Sequence, residues 1–198
     1  MTEHDLSQQL AQLPPEKRAL LFEKLRQQKA AQGKTAAPAP ALARVPRDAE
    51  SYTLSFAQQR LWFLYHFEPD SPEYNVPQAY RLHGPLDPAL LQRALAALVE
   101  RHEVLRTSFR AIEGEGRQAV AAEAPPDLTV TDLADRSPAE AEEAAAAAMT
   151  ADARTPFDLA VAPPLRAKLF RLGAQEHLLY LNVHHIAFDG WSQGVLVG

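Results

Sequence analysis

The run from Leu178 to Ser192 constrains this chain more than any other stretch. Leu178-Leu179-Tyr180-Leu181-Asn182-Val183 is an apolar, strand-like segment that runs directly into His184-His185, three uncharged residues, an Asp189-Gly190 turn pair and Trp191-Ser192. An imidazole has an unperturbed pKa of about 6.5 and serves as base and acid near neutral pH, so chemistry is expected at this turn. Side chains alternate along a strand, which sends His184 and His185 to opposite sides, one facing a cavity and the other packed inside. That placement is poor for a shared metal. The Asp-Gly pair also makes a turn rather than the helix on which His185 and Asp189 could chelate at i, i+4, so no metal is expected.

The upstream chain reads as a scaffold for that turn. Residues 1–32 read as a helical leader in two pieces, with Leu6, Leu10 and Leu13 expected on one face of the first. Pro14-Pro15 interrupts it, and Leu20, Leu21 and Leu25 make a narrow apolar stripe on the second. A helix with so little apolar surface either packs loosely on the domain or docks to another protein. Residues 33–50 are rich in Ala and Pro without periodicity and read as a linker. The folded domain is expected over 51–198.

Within that domain, Ser55 and Gln58 have the spacing of a capping box, followed by an aromatic-rich helix over Gln58–Tyr65 whose density predicts deep packing. Arg60 sits among these apolar neighbours and is expected to have a specific acceptor. Val76–Leu82 reads as a strand, and Asp87-Pro88 starts a helix whose Leu91, Leu95, Leu98 and Val99 recur at helical spacing. Val104–Ile112 and Arg117–Ala121 form a hairpin, and Leu128–Leu133 is a further strand. Ser137 and Glu140 open an Ala-rich peripheral helix running to Met149, and Leu165–Leu172 and Leu178–Val183 form a second hairpin. This order predicts a mixed sheet with helices packed on it, in the α/β (α+β two-layer) class.

Composition removes several function classes. The formal charge of −5 leaves no overall basic field for nucleic acid. The absence of cysteine removes disulfides, thiolate metal sites and cysteine nucleophiles. The acidic N-terminus leads into no apolar signal region, and no run approaches the roughly 20 residues of a membrane span, so a cytoplasmic location is expected.

The segment His184-His185-Ile186-Ala187-Phe188-Asp189-Gly190 resembles the HHxxxDG signature of nonribosomal peptide synthetase condensation domains, members of the chloramphenicol-acetyltransferase-like superfamily. Two further motifs resemble that family in the same order: Ser55-Phe56-Ala57-Gln58-Gln59-Arg60-Leu61-Trp62-Phe63-Leu64, and Arg101-His102-Glu103-Val104-Leu105-Arg106-Thr107-Ser108-Phe109. The Trp191-Ser192 continuation is more similar to condensation than to epimerisation domains. The Ser-Phe-Ala-Gln opening resembles the subtype that joins two L-residues.

The resemblance implies that His185 is the catalytic residue, lining a tunnel between two lobes and accepting a proton from, or positioning, the amine that attacks a donor thioester. It implies a supporting role for His184 and a structural one for Asp189, held by an arginine. Arg101 is the first choice of partner, with Arg106 and Arg60 as alternatives. Gly190 would let the backbone approach the reacting carbonyl. The same resemblance implies donor and acceptor peptidyl carrier proteins and adjacent synthetase modules as partners, with phosphopantetheine carried by those partners and no cofactor bound directly. It implies that residues 51–198 are the N-terminal lobe, that the second lobe is missing, and that this chain alone is inactive in condensation. A coenzyme A-dependent acyltransferase of the same superfamily and a non-catalytic docking fragment are the alternative readings.

Overall fold

The computed structural model describes residues 46–197. The readings of residues 1–32 as a leader and of 33–45 as linker therefore lie outside the described residues. Every element below belongs to the second of the chain's two units, Asp48–Gly198.

After β1 (Tyr52–Thr53), Ser55 caps α1 (Phe56–Phe67). The Gln58 N–H donates to Ser55 Oγ at 3.2 Å and the Ser55 N–H donates to Gln58 Oε1 at 2.9 Å, the reciprocal pair that satisfies two orphan helix donors. The expectation of deep packing for this helix is not met. No residue of α1 is buried, and Phe56 (91% exposed), Phe63 and Phe67 face outward. Its apolar residues wrap around the helix rather than forming one stripe, so among the described residues its packing on the main core comes from Leu61, Trp62 and Tyr65. Arg60 is exposed, so its charge stays solvated and needs no buried acceptor.

β2 (Asn75–His83) leads to α2 (Pro88–Arg101), where the Asp87 carboxylate accepts from the N–H groups of Ala89 at 2.8 Å and Leu90 at 3.3 Å. Leu95 and Val99 are the buried residues of its inner face. The strand expected from Val104 begins later. A 3-10 turn over Glu103–Arg106, closed by the Thr107 hydroxyl donating to the Glu103 carbonyl at 2.7 Å, precedes β3 (Thr107–Ile112). Glu113 and Gly114 then turn the chain into β4 (Glu115–Val120) with φ of 55° and 83°, the left-handed pair a tight hairpin demands. β5 (Leu128–Asp132), α3 (Pro138–Ala153), β6 (Leu165–Gly173), β7 (Glu176–His184) and α4 (Gly190–Val197) follow.

The strands form two sheets rather than one. A three-stranded antiparallel sheet has the order β1-β4-β3, and a four-stranded mixed sheet has the order β2-β7-β6-β5, parallel only between β5 and β6. β7 is thus an inner strand, and both of its faces are covered. Leu181 and Val183 join Leu95, Val99, Phe109 and Leu165 in the main core, while Leu178 and Tyr180 pack with Phe170 and with Ala141 and Ala145 of α3. The alanines let α3 sit close to the sheet, so this helix is part of the core rather than peripheral. Among the described residues, no helix is long and apolar enough to cross a membrane.

Candidate functional site

β7 ends at His184, and its two-residue periodicity decides which histidine is enclosed. His184 continues the row of Leu178, Tyr180 and Asn182 on the α3 side and is 4% exposed, whereas His185, one residue past the strand end, is exposed. The backbone is pinned on both flanks: the His184 N–H donates to the Pro164 carbonyl at 3.0 Å and the His185 N–H donates to the Tyr74 carbonyl at 2.8 Å. The three uncharged residues of the turn, Ile186, Ala187 and Phe188, are buried in the main core. They anchor the loop from beneath and leave its polar members at the two ends.

The His184 imidazole accepts the Ile186 N–H at Nδ1 over 3.1 Å, which assigns its proton to Nε2. Burial, with the neighbouring His185 charge as a lesser cause, pushes its pKa down to about 4. His184 is therefore neutral near pH 7 and already engaged on one nitrogen. Two aromatic rings border it, Tyr74 at 6.4 Å and Phe157 edge-on at 6.0 Å between centroids.

Asp189 stands just before α4. Its Oδ1 accepts from the Ser192 N–H at 2.8 Å and from the Ser192 hydroxyl at 2.7 Å. These two bonds hold its carboxyl below the usual carboxylate range, with a smaller contribution from His185. The expected arginine partner is absent among the described residues. Arg60 and Arg101 are exposed, and Arg106 donates to the Ala121 carbonyl and lies 3.7 Å from Glu103. The carboxylate is satisfied locally because an Asp at the start of a helix caps its free N–H groups. At Gly190 an added Cβ would meet no heavy atom within 4 Å, so no contact among the described residues requires glycine there.

The fold brings all three sequence motifs to this turn. Leu64 of the first motif shares a recess of about 180 Å³ with Glu68, Tyr74 and His184. His102, Val104 and Leu105 of the second motif line an apolar groove of about 130 Å³ together with Phe188, Trp191 and Leu196. Among the described residues, no group of three or more His, Asp or Glu side chains is placed to hold a metal ion.

Sequence reasoning missed the buried polar cluster behind His184. Asp152, 7% exposed near the end of α3, accepts from Asn182 Nδ2 at 2.9 Å and pairs with Arg166 Nε and Lys168 Nζ, each at 3.2 Å. Burial works to raise the Asp152 carboxyl, but the Asn182 amide and the two cations outweigh it and hold the group below its ordinary range. The signal was present. Arg166, Lys168 and Asn182 interrupt two apolar strands at positions facing one side of the sheet, which calls for an acidic partner there.

The Condensation domain family matches residues 48–198. Phosphinothricin tripeptide synthetase PhsC of Streptomyces viridochromogenes is 47% identical over 193 residues, covering 97% of this chain and 17% of that protein. The dimodular nonribosomal peptide synthase of Bacillus subtilis is 48% identical over 155 residues, covering 77% of this chain and 6% of that protein. The solved starter condensation domain of rhizomide synthetase RzmA has a similar fold, with a TM-score of 0.68 at 29% identity, covering 75% of this chain and 37% of that one. The chain spans a small part of the synthetases it matches. With the histidine turn, the two converging motifs and the match over 48–198 in agreement, the chain belongs to the condensation-domain family of nonribosomal peptide synthetases.

Proposed function

We propose that this chain contributes the histidine-bearing face of a condensation reaction, in which the α-amine of a carrier-bound aminoacyl group attacks the carbonyl of a carrier-bound donor thioester. The N–C bond forms, the C–S bond breaks, and the sulfur leaves as thiolate while the attacking nitrogen loses a proton. The observation that carries this reading is the inequality of the histidine pair. His184 is buried, neutral and bonded at Nδ1, while His185 is open to an approaching substrate.

Thioester aminolysis asks little of side-chain chemistry, because the thiolate leaves readily. Holding amine and thioester together is worth about 7–11 kcal/mol in well-oriented systems, and handling one proton contributes roughly 10²–10⁴-fold. His185 takes or directs that proton. His184 and Asp189 hold the turn, and Arg101, Arg106 and Arg60 are left without a role at Asp189. The phosphopantetheine arms belong to the substrates, borne by donor and acceptor carrier proteins of adjacent modules. Relatives supply further surface beyond the part this chain matches, so the 198-residue chain by itself is expected to be inactive.

The test is His185→Ala in the complete condensation domain, with loaded carrier proteins and mass-spectrometric detection of the amide. A loss of roughly 10²-fold or more is expected. Near wild-type turnover would remove His185 from the reaction. Equal turnover with a coenzyme A thioester in place of the carrier-borne donor would favour the acyl-coenzyme A reading instead.

A further inference from the structure

Of the two cations paired with Asp152, Arg166 makes the more extensive set of bonds. Arg166 reaches Asp152 Oδ2 through Nε at 3.2 Å and donates to the carbonyls of Asp152 at 3.0 Å, Thr155 at 2.7 Å and Pro156 at 3.2 Å. The guanidinium plane is thereby fixed by four bonds, and its Cζ lies 3.9 Å from the centroid of the Phe157 ring. Phe157 in turn meets the His184 imidazole edge-on, with the ring planes at 82°. A second brace closes the same corner. Asn75, opposite His184 in the register of β2 and β7, donates to the carbonyls of Ala153 at 2.8 Å and Thr155 at 2.9 Å.

A buried ion pair is a weak source of stability, since desolvation offsets most of its attraction, and a well-packed apolar group serves stability as well. What a charge-fixed planar group supplies here is geometry. The cluster locks the segment between α3 and β6 where the Phe157 ring meets the imidazole of a histidine of the turn.

We propose that Asp152 and Arg166 are positioning residues for the histidine turn: acting through Phe157, they fix the orientation of the His184 imidazole and hence the Ile186 N–H to Nδ1 bond that sets where His185 leaves the strand. This deepens the condensation reading and rests on it for its consequence in catalysis. The positioning itself is a property of the folded chain.

Imidazole ¹⁵N–¹H spectra of the 198-residue chain at pH 7 test it directly, with His177 as an internal control because it is buried on the same strand. Phe157→Leu keeps the ion pair and removes the ring edge, and Arg166→Gln breaks the fork. The expected result is that the His184 ring signals leave the Nε2–H pattern in both variants while those of His177 stay in place. Unchanged His184 signals in folded Phe157→Leu overturn the proposal, as does a parallel shift of His177, which would mean general loosening. If Arg166→Gln does not fold, Phe157→Leu carries the comparison.

In the complete condensation domain, Phe157→Leu is expected to lower kcat about 10- to 100-fold and leave the KM for each carrier within about twofold. Unchanged kcat with shifted spectra would overturn the catalytic consequence. If His185→Ala proves fully active, the functional reading has failed while the spectral result stands on its own.

Discussion

Ser192 satisfies both the capping and the hydroxyl bond of Asp189, so the acidic residue of the histidine turn is bound to the helix that follows it rather than to a distant cation. Ser192→Ala or Asp189→Ala should therefore fray the start of α4, seen as faster amide exchange at Ser192 and Gln193. Arg60→Glu and Arg101→Glu should leave thermal unfolding where it is. A large loss of melting temperature in either charge reversal would restore an arginine partner.

The pH dependence of stability should carry the mark of His184. Its folded-state pKa of about 4 lies below the ordinary 6.5, so on acidification the unfolded chain takes up this proton first. The contribution is complete above about pH 7, is lost as pH falls through 6.5, and levels off near 4, amounting to about 3 kcal/mol. Denaturant unfolding between these limits should show a slope that His184→Gln removes. The wild-type slope persisting in that variant would contradict the assignment.

Gly116 of β4 faces α1 at close range. A Cβ there would lie 2.7 Å from Leu54 Cδ1 and 2.9 Å from Trp62 Cδ2. Gly116→Ala should destabilise by about 1–3 kcal/mol through overpacking, and Trp62 fluorescence should change with it. A neutral effect would mean that α1 can shift away from the small sheet without cost.

The aromatic residues should divide sharply by burial. Phe109, 1% exposed on β3 with its N–H bonded to the Leu159 carbonyl at 2.7 Å, should cost about 3–5 kcal/mol on truncation to Ala. Phe63→Ala on the outer side of α1 should fall within about 0.5 kcal/mol, as surface changes do. Chemical denaturation of the two variants checks the contrast.

What the sequence made legible was local chemistry. The capping pairs Ser55/Gln58 and Ser137/Glu140, the Asp87-Pro88 helix start, both hairpins and the enclosed strand before His184 all follow from contacts within a few residues. Strand pairing does not, because β2 meets β7 through a register that no periodicity encodes, and hence one sheet was expected where two exist. The aromatic count of α1 overstated its burial, since composition does not say how many sides of a helix are covered. The Asp189 bond to Ser192 was readable as a cap, but the arginine implied by the family resemblance displaced it. The Asp152 cluster joins residues from α3, β6 and β7, and only the two interrupted strands hinted at it.

The place of β7 also bears on the order of assembly. It emerges from synthesis after both of its neighbours, and among the described residues β2, complete at His83, has no other strand partner until Glu176 and its successors appear. Until then β2 presents open backbone groups to any other extended segment, and the non-local closure that ends this exposure is intrinsically slow. The histidine turn is thus formed in the same step that seals the larger sheet. A nascent chain stalled before Leu178 would be both without its site and prone to pair with its neighbours.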